Sequence, residues 1–258
     1  MEIEKCNRCI GDAACQDRVM AECLPVPYFG NVLNPSLKVA TIGLNPAYNE
    51  YFLKGGDVAK DRSLRLALLA DYGRSSRVDL NDANMADAIT RRLLYFQDSS
   101  RDWHPYFEKM ESVINRVNPN WTYFTGSAVH IDVVACTLKE RWGALSRSNP
   151  DALNAVVSNC REHFSSTINN LRSGTIILCD GHRAWLEIAS LGFSLVSESS
   201  KRINEHGDVG RVGVLHCNGK EFPVRGWSSQ VNFLTAFWRF NLAAWVQSSF
   251  KTSKVEAM

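Results

Sequence analysis

The residues best suited to chemistry stand together in KVATIGLNPAYNEYF, Lys38 to Phe52. Asn45 offers an amide that both donates and accepts hydrogen bonds. Tyr48, Tyr51 and Phe52 offer flat aromatic faces, and Pro46 stiffens the loop that carries them. Such a loop can hold a water against a polar reactant and stack a planar ring. Gly43 lets the backbone turn or approach a ligand closely. The second chemical set is the cysteines. Cys6-x-x-Cys9 has ligand-like spacing, Cys15 and Cys23 follow closely, and Cys136 and Cys160 flank the middle of the chain. One grouping is a compact zinc site of Cys6, Cys9, Cys15 and Cys23. Four thiolates suit zinc or iron–sulfur alike, so residue type does not choose between them. Cys179 and Cys217 end apolar runs and read as buried strand thiols.

These residues need elements to position them. Val39 to Ile42 is a short, β-branched apolar run, which predicts a buried strand with Asn45 just beyond its carboxyl end, where open α/β sheets place ligands. Helices are expected over Asp61–Tyr72, Asn84–Gln97 and Pro105–Arg116, and from Asn149-Pro150-Asp151 to about Leu171. Further strands are expected at Ala128–Ala135, Thr175–Cys179 and Arg211–His216, with helices over Gly181–Leu191 and from Ser228 or Ser229 to about Val246. Ser197–Gly210 reads as a surface loop or short hairpin. Strands alternating with helices imply βαβ units, a mostly parallel four-stranded sheet and a three-layer αβα sandwich.

Residues 1–36 read as a cysteine-bearing segment packed on an α/β domain of residues 37–247, with a polar tail at 248–258. A net charge of +2 on 258 residues neither demands nor excludes nucleic acid. Eight cysteines without an apolar leader read as reduced thiols or metal ligands in a cytoplasmic protein. No run approaches membrane-spanning length, so no membrane partner is expected. Phe233–Val246, interrupted by Arg239 and Asn241, fits a core helix. A monomer is expected.

Four segments in order resemble the uracil-DNA glycosylase superfamily. Gly43-Leu44-Asn45-Pro46-Ala47 is similar to its first motif, and His130–Leu145 (HIDVVACTLKERWGAL) to the second strand and loop of its single-strand-selective and iron–sulfur branches. Ser158–Trp185 is similar to their helix, strand and small-residue turn, and Arg225–Asn232 (RGWSSQVN) stands where the last motif falls. The resemblance implies a monofunctional glycosylase that extrudes a base from DNA, reads its edge and hydrolyses the N-glycosidic bond to leave an abasic site. It assigns the attacking water to Asn45, base contacts to Leu44, Ala47 and Tyr48, and stacking to Tyr51 or Phe52. Bacterial phage-defence glycosylases related to this superfamily remove bulky modified cytosines.

Two departures bear on the base. Asp132 stands where uracil-reading members carry an Asn, and a carboxylate accepts from the exocyclic amine of cytosine while repelling the carbonyl of uracil. Ala47 replaces the Tyr that blocks 5-substituents. Together they favour a 5-modified cytosine, such as the glucosylated hydroxymethylcytosine of phage DNA. The alternatives are a repair enzyme for uracil and an inactive DNA-binding module of the same fold. The His of the last motif is absent: Gly226 or Trp227 occupies its place, with His182 and His216 as candidate replacements and Ser228 as the motif serine. Trp227 is a candidate wedge in single- or double-stranded DNA. Arg183, Arg225 and Ser229, with Lys139, Arg141 and Lys220, are candidate phosphate contacts. In the iron–sulfur branch an amino-terminal C-x-x-C joins two later cysteines on a 4Fe–4S cluster, which assigns Cys6, Cys9, Cys136 and Cys160 here; zinc, or no metal, is the alternative.

Overall fold

A computed structural model describes residues 3–52, 66–97, 104–190, 194–203 and 208–252. In chain order the helices are α1 (Arg8–Gly11), α2 (Asp82–Leu93), α3 (Pro105–Val117), α4 (Trp142–Ser148), α5 (Pro150–Asn170), α6 (His182–Ser190) and α7 (Ala236–Thr252). The strands are β1 (Tyr28–Phe29), β2 (Val39–Gly43), β3 (Ala128–Asp132), β4 (Ile176–Cys179), β5 (Ser194–Arg202), β6 (Val209–Cys217) and β7 (Lys220–Trp227). They form a seven-stranded mixed sheet in the order β1-β3-β2-β4-β7-β6-β5. β2 and β7 run parallel to β4, while β5, β6 and β7 form an antiparallel meander. The chain divides into two compact units. The first is Met1–Asn31, Leu44–Arg101 and Ile131–Ile168; the second is Val32–Gly43, Asp102–His130 and Asn169–Met258.

Local chemistry explains the elements. Every residue of β2 and of β3 is buried, as strands covered on both faces require. The α5 helix has Pro150 at its first position and Asn149 before it, whose side chain accepts from Ala152 N at 3.0 Å. Its inward stripe runs from Ala152 and Val156 through Cys160 to Phe164 and Ile168. The α2 helix opens with a reciprocal cap between Asn81 and Asn84, and the His104 side chain accepts from Tyr106 N at the start of α3.

The four-stranded, mostly parallel sheet expected from the sequence is corrected to this mixed sheet. The expected strand at Arg211–His216 exists within β6, but it runs antiparallel, and β7 takes the parallel place beside β4. Asn218 and Gly219, both at positive φ (49° and 74°), make the two-residue hairpin turn that reverses the chain. Of the loop or short hairpin expected at 197–210, the hairpin forms: the end of β5 pairs antiparallel with the start of β6, Arg202 opposite Val209. Of the helix expected over 61–72, residues 61–65 lie outside the described residues, and Leu69–Tyr72 is a single 3-10 turn. The last helix starts at Ala236 rather than near Ser228 and runs to Thr252, past the start expected for a polar tail. It buries Leu242, Ala243 and Val246 but leaves Phe237 and Phe240 exposed, which corrects the core-helix reading of its first half. Among the described residues, no helix is long and apolar enough to cross a membrane.

Candidate functional site

In the first unit the thiols of Cys9, Cys136 and Cys160 converge. All three are buried, their sulfurs lie within 4.8 Å of one another, and Cys9 Sγ and Cys160 Sγ are 3.8 Å apart. Cys9 comes from α1, Cys160 from the inward stripe of α5, and Cys136 from the loop after β3. Cys160 and Cys9 both donate toward Cys136, which holds the Cys136 thiol well below its ordinary value, helped by the guanidinium of Arg77. The same hydrogen bonds push Cys9 and Cys160 up. Within the trio the Cys136 sulfur is the one whose thiolate is favoured, by hydrogen bonds and Arg77 rather than by water, and a bound cation would displace the remaining protons.

Cys6 does not join this group: its sulfur lies outside the 4.8 Å set, although the residue is buried. Cys15 comes nearer than its spacing suggests. Its thiol donates to the Cys9 carbonyl at 3.5 Å and accepts from Asn159 Nδ2 at 3.6 Å, beside Cys160. Arg77 lies beneath the cluster, 1% exposed, donating to the carbonyls of Cys6 (2.8 Å), Cys23 (2.6 Å) and Met20 (3.3 Å). The sequence offered Cys15 only beside Cys6, Cys9 and Cys23, and it gave no sign of Arg77. An arginine in a polar stretch gives no sign of being buried, and Cys9-x5-Cys15 is not a familiar ligand spacing.

The loop after β2 also belongs to the first unit. Val134 N donates to the Leu44 carbonyl at 2.9 Å, fastening this loop to the chain just beyond Asp132. Asn45 is half-buried and its Nδ2 donates to the Pro46 carbonyl at 2.9 Å, while Oδ1 makes no hydrogen bond among the described residues. Asp132 is 3% exposed at the carboxyl end of β3, with its backbone N–H on the Pro27 carbonyl. Ala47 is half-buried. Tyr48 and Phe52 stack at 4.5 Å between ring centres and 18° between planes, with Tyr48 outermost and exposed. Tyr51 is corrected from a stacking face to a core residue: it is fully buried and its hydroxyl donates to the Leu24 carbonyl at 2.7 Å.

In the second unit the turns after β4 and β7 clasp each other. Asp180 Oδ1 accepts from Trp227 Nε1 at 2.9 Å and Val231 N at 2.8 Å, and His182 N donates to the Ser228 carbonyl at 3.1 Å. Gly181, at φ +96°, passes so close to Gln230 that a Cβ would lie 3.0 Å from its Cγ. Trp227 is therefore a buried strut rather than an exposed wedge. Arg225 is likewise corrected as a phosphate contact. It is 2% exposed, donates to Ser249 Oγ (2.7 Å) and Ser249 O (3.1 Å), and lies over the Phe250 ring. Lys220 is engaged with the Asn169 and Leu171 carbonyls, and Arg183 is ion-paired with Glu187 at 2.7 Å. Ser228 and Ser229 both donate to Asp208, and Ser228 also accepts from Val209 N. These hydroxyls brace a loop.

Gly226 is held to glycine by its neighbours. A Cβ at Gly226 would meet the Trp185 ring at 2.6 Å, so no side chain fits there. His216 pairs with Glu221 at the amino end of β7, whereas the motif serines follow its carboxyl end. His182, exposed at the start of α6, remains as the candidate imidazole. Desolvation, then Arg211 and Arg183, hold it below the ordinary imidazole value, so it is neutral near pH 7.

Asp180 itself was not singled out by its sequence. Burial pushes its carboxyl up to about 6, against the hydrogen bonds from Val231 N and Trp227 that favour its charged form. A carboxyl raised from 3.8 in the unfolded chain holds more protons when folded, so stability falls as pH rises from about 4 to 6. Asp180→Asn keeps an oxygen for Trp227 and Val231 and should flatten that slope by about 3 kcal/mol across the window. Urea denaturation at pH 4, 5 and 7 checks this, and an unchanged slope removes Asp180 as its source. Comparison with protein-family models, curated proteins and solved structures finds no match to this chain.

Proposed function

We propose that the chain is a monofunctional DNA N-glycosylase acting on a flipped pyrimidine, most suitably a 5-modified cytosine, with the three-layer fold of the superfamily it resembles. The observation that carries this reading is the loop after β2. It holds a half-buried Asn45 whose Oδ1, with no hydrogen bond among the described residues, can accept from water, beside the segment that bears Asp132. Support also comes from the sheet, where the segments resembling the four motifs follow or form adjacent strands β3-β2-β4-β7. In the reaction, water held by Asn45 forms a bond to the anomeric carbon as the bond to the base nitrogen breaks. The base leaves with the electron pair, and the water's proton passes to solvent. A neutral amide does not abstract that proton; Asn45 positions the water and faces the cationic sugar. Asp132 accepts from the exocyclic amine, Ala47 leaves space at the 5-position, and the exposed Tyr48 face continues its stack onto the base.

The cysteine trio fits a thiolate-bound metal, and the resemblance supplies its finer form: a 4Fe–4S cluster on Cys6, Cys9, Cys136 and Cys160 that fastens the amino-terminal segment and carries no step of the reaction. A second reading rests on one distance. A tetrahedral ion with 2.3 Å bonds spaces its sulfurs about 3.8 Å apart, the separation of Cys9 and Cys160; Cys15, outside the 4.8 Å set as Cys6 is, would move in as fourth ligand. Iron, sulfide and zinc assays of anaerobically purified protein separate the two. Loss of metal in Cys6→Ser supports the cluster, loss in Cys15→Ser supports the ion, and absence of all three elements refutes both. The catalytic reading is tested with oligonucleotides carrying uracil, cytosine, 5-hydroxymethylcytosine or its glucosylated form, followed by alkali. Cleavage at a modified cytosine is expected; cleavage at uracil alone defeats the role of Asp132.

A further inference from the structure

In the second unit, three phenylalanines that ought to be buried face solvent. Phe233 is 80% exposed, Phe237 64% and Phe240 53%. Phe237 and Phe240, three residues apart, share one face of the first turns of α7, and Phe233 stands on the separate 3-10 turn before it, across the extended Leu234. Three large apolar rings exposed in so short a segment mark an interaction surface. The α3 helix packs alongside and frames the rings with cations. The Arg116 guanidinium lies 5.3 Å from the centre of the Phe240 ring, and Lys109 Nζ reaches the carbonyl of Asn232, next to Phe233.

Charge decides among occupants. From Phe222 to Val255 the sequence contains no Asp or Glu. Of the α3 carboxylates flanking Lys109, Glu111 is taken by Tyr123 N at 3.0 Å, and Glu108 is exposed. A symmetric contact between two copies of this face would set its cations against each other. A partner that brings flat apolar faces together with phosphates answers both features, because bases stack on rings and phosphates meet Arg and Lys. We infer that the surface of Phe233, Phe237 and Phe240 is a stacking platform for single-stranded nucleic acid. The inference shares the nucleic-acid partner of the glycosylase reading but not its chemistry, since it uses neither Asn45 nor Asp132.

The test uses the full chain and a fluorescently labelled oligothymidine of about 12 nucleotides. Phe237→Ala and Phe240→Ala should each weaken binding by about tenfold, with far-UV circular dichroism unchanged because both rings are exposed. Arg116→Ala should lower the slope of log affinity against log salt by about 0.7. Unchanged affinity in all three variants overturns the platform. So does a concentration-dependent dimer, or binding to anionic vesicles, that the two Phe variants abolish while oligothymidine affinity stays constant. Base release separates the two proposals: its absence with platform binding intact refutes only the glycosylase, and normal release with unchanged oligonucleotide affinity in the variants refutes only the platform.

Discussion

Asn45→Ala is expected to slow base release by about two to three orders of magnitude while the dissociation constant for substrate DNA moves only a few-fold. The size follows from what the amide does. A group that fixes the attacking water and faces developing charge acts mainly in the transition state, and removing one such group elsewhere costs about 10²–10³ in turnover. Ground-state affinity resides in contacts with the base and phosphates, which Asn45 contributes little to. The Nδ2 bond to the Pro46 carbonyl is local and replaceable by water, because Asn45 is only half-buried. Single-turnover kinetics beside equilibrium binding reads the two effects separately. Equal loss of both, or a lowered melting temperature, would assign Asn45 to the fold.

Arg77→Met should cost about 3–5 kcal/mol of stability and empty the cysteine site. Its guanidinium satisfies three carbonyls of the amino-terminal segment where water does not reach, and its charge favours the Cys136 thiolate. Leaving such buried acceptors unsatisfied carries about 1–3 kcal/mol each. Lysine should rescue little, because a point charge on a flexible stem cannot serve three separated carbonyls as a planar fork does. Urea denaturation with metal analysis measures both consequences. A loss under about 1 kcal/mol with metal retained would make Arg77 incidental.

Much of the sheet was legible because its inner strands are continuous apolar runs, and periodicity reports burial directly. The β6–β7 reversal was missed although its signal was present: Asn218-Gly219 between two apolar runs is a hairpin turn. With that turn overlooked, the parallel strand was placed one run too early. The site was less legible because residue type does not reveal exposure. Arg225 and Trp227 have the composition of DNA contacts, yet Ser249 and Asp180 hold them inside. Phe237 and Phe240 have the composition of core, yet face water, since α7 buries only the stripe through Leu242 and Val246. The convergence of Cys9, Cys136 and Cys160 follows the set that the resemblance to the iron–sulfur branch implied, without Cys6; the compact grouping of Cys6, Cys9, Cys15 and Cys23 does not form.

The claim of base excision is tested most directly by mass spectrometry of the small-molecule fraction after incubation with DNA containing glucosylated 5-hydroxymethylcytosine. The expected result is the free modified base, in amounts matching the abasic sites formed and lost in Asn45→Ala. Intact DNA, or release of a nucleotide in place of a base, would contradict it.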